Sequence, residues 1–584
     1  MSERTSDIKP FPSAANGKQT VSGGPRFLRV LAALLFTLAV LAGITASAAV
    51  SAAEAKTVPG GTVSSPEELL EALGGEECAW LTGETATLRK DVSLSSALEF
   101  VSGSYTLVGA GSVITRGCEG ALISVESGAS LTLGGYQTDP DAVSLIIDGG
   151  QQVGASPLSS DPSALPSPLL LINGGKVEFK DGTVLSNNYS PFGGGILIDG
   201  GELVFSGGHI EGCSADSGGG ICLRDGSAVL TGGYIDGCRA VFGGAVCCSG
   251  GSFTLSGGRI GGTVVSDEFS GEKEKLGGND AEYGGGICVL GTRVDLESGT
   301  VILGRAEKAG GGIYCDADGS VFLIGGGVTY CTAPEGGGVY CLGLLSVQNG
   351  PITRCDADRG GGLYVGEGGE AGLENADVVY CTARSLGGGA YIAKDGQIRI
   401  EHGAILEKCS AVIGGGLFNL GTATLNGTIG NDDASLFGAS SAGSGLFRLG
   451  GYAFLEENDL ALIASDGKLT PIEIISEIST PSVGALRVIA DYDAEKGSYT
   501  EYTENGAEIL KAGEDAGLSG DAFTAAAAKF SLLSAKGSTL GEDGRLAASS
   551  FSPTIAVVAA AALLILILAA VILLRRRKTA PKSR

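Results

Sequence analysis

Residues 310–335 read GGGIYCDADGSVFLIGGGVTYCTAPE. Three apolar runs, IYC, VFLI and VTYC, alternate with turns rich in Gly and Asp. Each run has the length of a strand and none is long enough for a helix. A strand this short cannot cover its own inner face. Stacked on another copy of itself it can, and the stretch is one coil of a solenoid.

The copies are present on both sides. The opening phrase recurs at Gly193, Gly218, Gly243, Gly284, Gly310, Gly336, Gly360, Gly387 and Gly414, at intervals of 25, 25, 41, 26, 26, 24, 27 and 27 residues. Three strands per coil, with one column of inward side chains per strand, define an all-β, single-stranded parallel β-helix. The triplets are read as tight corners that need positive φ and close approach between coils. A phosphate-binding loop is the rival, but GxxxxGK[ST] is absent and a nucleotide site does not recur nine times.

Two columns support the stack. The second residue after the last eight triplets is Cys222, Cys247 and Cys288, then Tyr314, Tyr340, Tyr364, Tyr391 and Phe418. At about 4.8 Å per coil these five rings are expected to stack and bury apolar area. Five or six residues before a triplet stand Asn188, Cys213, Cys238, Cys331, Cys355, Cys381 and Cys409.

Further out, composition sets limits. The 584 residues include 100 Gly, one Met and one Trp, and carry a formal charge of −26. Setting aside residues 1–55 and 575–584, 28 Lys/Arg remain against 62 Asp/Glu, a net −34. That excess argues against nucleic acid or an anionic membrane surface as partner. Residues 1–55 read as a signal peptide: cations up to Arg29, an apolar run from Val30 to Ile44, and small residues around Ala48 or Ala55. An uncleaved signal anchor is the alternative, with the same topology.

Residues 56–85 are expected to cap the solenoid with a short helix, N-capped by Ser65, with Pro66 at its first position and Glu68 closing a capping box. Coils are expected over 86–465. Asp139 to Ser167, rich in Pro, Ser and Asp, is expected to leave the coil as a loop. Between Gly261 and Tyr283 one period is stretched around SDEFSGEKEKLGGND, a solvated excursion that is either a binding loop or a tolerated insertion. Residues 466–554 read as a terminal β region and a flexible stalk. Ile555 to Leu574 is uninterruptedly apolar and long enough to span a bilayer, and Arg575-Arg576-Arg577-Lys578 keep residues 575–584 cytoplasmic. Residues 549–554 contain no LPxTG-type sorting motif.

GGG[ILV] with a turn residue about five positions upstream resembles the GGA[ILV] and FxxN repeats of polymorphic outer membrane proteins and of adhesin-like β-helix surface proteins, which share a pectate-lyase-like fold. The resemblance covers Ser64 to Leu462 and implies a right-handed helix and a surface role. This chain departs from it in two respects: Cys replaces most of the FxxN asparagines, and one apolar segment stands where outer membrane members carry a barrel. The second departure suggests a single-membrane, Gram-positive cell with the body outside.

Chemistry is sparse in the text. Asp316-x-Asp318 and Asp356-x-Asp358 are the best carboxylate pairs; they fall on different corners and read as turn residues, with weak calcium binding as the alternative. His209 and His402 are the only histidines, and neither stands in a catalytic or metal motif. The fourteen cysteines show no Cys-x-x-Cys spacing and read as buried reduced thiols, because equivalent positions one coil apart place Cβ atoms slightly too far for an unstrained bridge. No catalytic, metal or cofactor residue is assigned. The expectation is a membrane-anchored rod of twelve to fourteen coils, about 60 Å long, acting as an adhesin on glycans or proteins of a host or environment. A surface-anchored polysaccharide lyase or glycoside hydrolase is the alternative, and a passive surface-layer component a third.

Overall fold

A computed structural model describes residues 55–135, 144–150, 167–266 and 273–426, and shorter stretches between 428 and 547. The expected signal peptide, the segment 548–554, the apolar segment 555–574 and the tail 575–584 lie outside these residues, apart from Ala55. Among the described residues no helix is long and apolar enough to cross a membrane.

The body is a parallel β-solenoid. One face is a single file of fifteen strands, from Lys56–Val58 to Phe454–Leu455. Two further faces merge into one 32-stranded sheet, bridged by the ten-residue strands Ile196–Phe205 and Ile221–Leu230. Pairing is repetitive: Ile313, Tyr314 and Cys315 pair with Val339, Tyr340 and Cys341, which pair with Leu363, Tyr364 and Val365. Alternate residues point inward, so Ile313, Cys315, Val321, Leu323 and Val328 of one coil are fully buried in one continuous core. Within it Phe179 and Phe205 stack at 4.7 Å.

All nine triplets turn as expected. Each first glycine has φ between 60° and 69°. The second is constrained by the neighbouring coil: a Cβ on Gly194 would lie 2.3 Å from the Gly219 carbonyl oxygen.

The count of three strands per coil needs correction. A fourth short strand precedes most triplets, at Tyr189–Phe192, Ser214–Ser217, Arg239–Phe242, Asp280–Tyr283, Arg305–Ala309, Asp356–Arg359 and Thr382–Leu386. Its inward position is small: Ala215, Ala240, Ala281, Ala306, Ala333, Ala357, Ala383 and Ala411 are all buried. Alanine allows this strand to lie close against the wall.

Three boundaries also move. The expected loop over 139–167 contains the strand Leu145–Asp148, whose Leu145 and Ile147 are buried between Ile114 and Leu185 of the adjoining coils. Parallel pairing already begins at Lys56, inside the expected cap. It also continues past 465, where Leu486–Ala490 and Phe530–Leu532 pair in parallel with the coils before them.

The cap helix forms at Pro66–Ala72, with Ser65 Oγ accepting the Glu68 N–H. Glu68 closes its box on Ser64, accepting from that residue's N–H at 2.7 Å and its hydroxyl at 2.6 Å. Leu69 and Leu73 are buried in the core.

Candidate functional site

The corner between the first face and the fourth strand carries the chain's most unusual backbone. One residue at this corner is left-handed in nine successive coils: Asn187, Gly212, Gly237, Gly278, Leu303, Tyr330, Arg354, Tyr380 and Lys408, each just before an Asn or Cys except Leu303, which precedes Gly304. The first four are residues that accept positive φ cheaply; the last five are not. Among the described residues every other non-glycine residue with positive φ is Asn or Asp. Among the described residues, five bulky side chains are thus held in a costly conformation at this corner and at no other.

A ladder holds them there. The N–H of Tyr330 donates to the Thr353 carbonyl at 3.1 Å, that of Arg354 to Val379 at 3.1 Å and that of Tyr380 to Glu407 at 3.3 Å. The side chains alternate in character. Arg354 lies 5.7 Å from the Tyr330 ring centroid and 4.9 Å from that of Tyr380, and Lys408 lies 5.5 Å from Tyr380. The stretched period joins them as an antiparallel hairpin, Thr263–Ser266 with Lys273–Leu276, whose Lys275 reaches to 5.0 Å from Tyr330. Cation and aromatic ring alternate over four coils, each contact contributing about 0.5–1 kcal/mol at an exposed site. Tyr380 is 44% exposed, and Arg354 and Lys275 are exposed. Lys408 pairs with Glu407 at 3.4 Å, whereas no carboxylate pairs with Arg354 or Lys275 among the described residues.

Toward the N-terminus the same corner is acidic. Asp148, Ser186, Glu211 and Asp236 are in register on successive strands. Asp236 Oδ1 accepts the N–H groups of Gly237 and Gly278 at 2.7 and 2.6 Å. Asp148 accepts from Ser186 and Asn187. Burial, with the Asp236 and Asp148 charges behind it, raises the pKa of the Glu211 carboxyl. His209 and Tyr234 are in ring contact beside this row, and Arg259 lies 5.0 Å from the Tyr234 ring. Neither patch was legible beforehand; the available signal was the residue before each corner Cys.

The expected candidates lie elsewhere. Asp316 sits in a turn, accepting the Gly291 N–H at 2.9 Å, and Asp358 lies on a fourth strand, paired with Arg384 at 2.8 Å. The two pairs are indeed on different corners. His402 lies in an exposed turn, far in sequence register from His209. Among the described residues no group of three or more His, Cys, Asp or Glu is placed to hold a metal ion.

The aromatic column stacks as expected: Tyr314, Tyr340, Tyr364, Tyr391 and Phe418 have centroids 5.5, 4.8, 4.7 and 5.5 Å apart in turn. It lies outside the main core, forming a second cluster with Ile413 and Leu386 of the fourth-strand column. Burial pushes Tyr314 and Tyr340 up to about 12. Tyr364, Tyr391 and Phe418 are buried and Tyr314 and Tyr340 half-buried, so the column serves mainly as packing.

Thirteen of the fourteen cysteines are buried and all are free. At the corner the thiols of Cys238, Cys331, Cys355, Cys381 and Cys409 point at carbonyls: Cys381 Sγ lies 3.5 Å from the Ile352 oxygen and 3.6 Å from that of Val379. Burial pushes the Cys213 thiol to about 12 and those of Cys238 and Cys355 well above the usual range. Such thiols stay protonated at neutral pH.

Comparison with protein-family models, with curated proteins and with solved structures found no match to this chain.

Proposed function

We propose that this chain is a membrane-anchored cell-surface protein of the adhesin-like β-helix kind, whose solenoid presents a corner to glycans or proteins of a host or environment. The observation that carries this reading is the run of left-handed Leu303, Tyr330, Arg354, Tyr380 and Lys408. Strained residues persist where the surrounding structure over-determines them, and they cluster at binding sites. Display outside the cell rests on the residue 1–55 signal, the apolar run Ile555 to Leu574 and the cations that follow it. Right-handed coiling rests on the handedness of crossovers between parallel strands in one sheet. The pectate-lyase-like relationship rests on the repeat phrase alone, and fold does not by itself give function.

A second reading has its own observation. Glu211, a partly buried carboxyl of raised pKa, stands between Asp148 and Asp236 on the same corner. A carboxyl of raised pKa is the kind of group that serves as general acid in polysaccharide cleavage. One experiment separates the two. The full-length chain is screened against a glycan array and in parallel for release of reducing or unsaturated sugar ends. Binding without turnover supports the adhesin. Turnover abolished by Glu211→Gln supports the hydrolase or lyase.

A further inference from the structure

The geometry points to a ligand class for the Tyr330–Arg354–Tyr380 ladder: an extended polysaccharide carrying about one acid group, carboxylate or sulfate, for every two sugars, laid along the solenoid axis. This rests on the surface-binding reading above and names what that surface takes.

Four observations combine. First, the ladder alternates ring and cation at successive coils, so like groups recur every two coils, about 9.6 Å apart at about 4.8 Å per coil. A pyranose chain in extended form advances by nearly one coil rise per sugar. A neutral sugar stacked on Tyr330 therefore brings the next sugar's acid group to Arg354 and the following ring to Tyr380. Second, Arg354 is exposed, and among the described residues no carboxylate pairs with it, in a chain with 65 acids against 39 Lys/Arg. A guanidinium 5.7 and 4.9 Å from two ring centroids carries N–H groups in the fork geometry that fits carboxylate and sulfate. Third, Lys275 arrives at the same ring from the hairpin that interrupts the repeat, adding a second cation without a carboxylate partner. Fourth, the Asp236 carboxylate stands at the same corner three coils before Tyr330, on the acidic side of the stack. An acidic polymer is repelled there, which confines it to the coils from Lys275 onward.

The test measures binding of the full-length chain to hyaluronate, which has one carboxylate per disaccharide, to carboxyl-reduced hyaluronate, to heparin, to a neutral β-glucan and to polyglutamate. The parent chain is expected to bind hyaluronate or heparin, the first naming carboxylate and the second sulfate, and carboxyl-reduced hyaluronate about tenfold more weakly than hyaluronate where that is the polymer bound. Arg354→Gln lowers affinity about tenfold, the loss of one charge-assisted contact, and Arg354→Lys retains more than Arg354→Gln. Arg354→Gly, which suits a left-handed position, loses affinity without losing fold by circular dichroism, separating recognition from misfolding. Equal binding of the carboxyl-reduced polymer, or unchanged affinity in Arg354→Gln, overturns the inference. If ladder variants instead lose binding to β-glucan or polyglutamate, the acidic-glycan inference fails while the surface-binding reading stands. If they bind every probe as the parent does, both fail.

Discussion

Asn279 does for Cys238 what no thiol in the column does for its neighbour. Its Oδ1 accepts the backbone N–H of Cys238 at 2.9 Å, and its Nδ2 donates to the Ile235 carbonyl at 2.9 Å. Cys238 Sγ meets the corresponding carbonyl one coil earlier, Ile210, only at 3.9 Å. The amide is the full form of this corner and the thiol a weaker replacement. Asn279→Ala leaves a buried N–H and a carbonyl unpaired and is expected to cost about 1–3 kcal/mol. Asn279→Cys, which restores the weak contact, is expected to cost less. Urea unfolding of both variants measures the difference.

Arg354→Gly and Tyr380→Gly remove side chains from left-handed positions and should stabilise the fold by about 1 kcal/mol, the cost an L-residue pays there. A rise in urea midpoint at unchanged slope is the expected readout. A fall would mean that the cation–ring contacts outweigh the backbone strain.

Glycine positions separate by their surroundings. A Cβ on Gly361 would lie 2.4 Å from the Thr382 carbonyl oxygen and 2.5 Å from that of Gly388, whereas nothing lies within 4 Å of one on Gly372. Gly361→Ala should prevent or severely weaken stacking of the coil. Gly372→Ala, in an ordinary strand backbone, should be neutral or stabilise by up to about 1 kcal/mol. Thermal melts of the pair decide.

Alkaline pH should loosen the aromatic column. Tyr314 and Tyr340 have folded pKa values raised from 10.0 to about 12, mainly by burial. A raised folded value means full stability below the unfolded value and loss above it, so unfolding free energy should fall as pH rises from about 10 to 12. Replacing both tyrosines by Phe should flatten that slope.

Alkylation of the native chain at neutral pH should modify at most Cys118, the one cysteine that is not buried. Denaturation without reductant should expose fourteen reactive thiols. Fewer adducts in the denatured chain would reveal bridges.

The solenoid was legible because its periodicity is carried by residues with one physical use: glycine at positive φ, and apolar residues alternating along strands. Leu145–Asp148 was hidden by flanking Pro, Ser and Asp, although its own LIID pattern is strand-like. The fourth strand was hidden because its outward residues are polar and read as a turn; the sign was alanine two residues after each corner Cys or Asn, from Ala215 to Ala411. The candidate site was not legible. Tyr and Arg give no indication of a left-handed backbone, and only alignment with Gly212 and Gly237 in earlier coils would have raised the question.

The glycine triplets make the coil a unit of currency for length. Each inner interface presents the same carbonyls to the same glycines, so residues 336–359 could be excised and the two cut faces would still fit. The body would shorten by one rise of about 4.8 Å. The ladder would not survive the cut as a pattern: Arg354 would be gone, Tyr330 would stack directly under Tyr380, and the alternating stripe would become a pair of adjacent rings between Lys275 and Lys408. Gain or loss of single coils, neutral for the fold, therefore rewrites what the corner recognises.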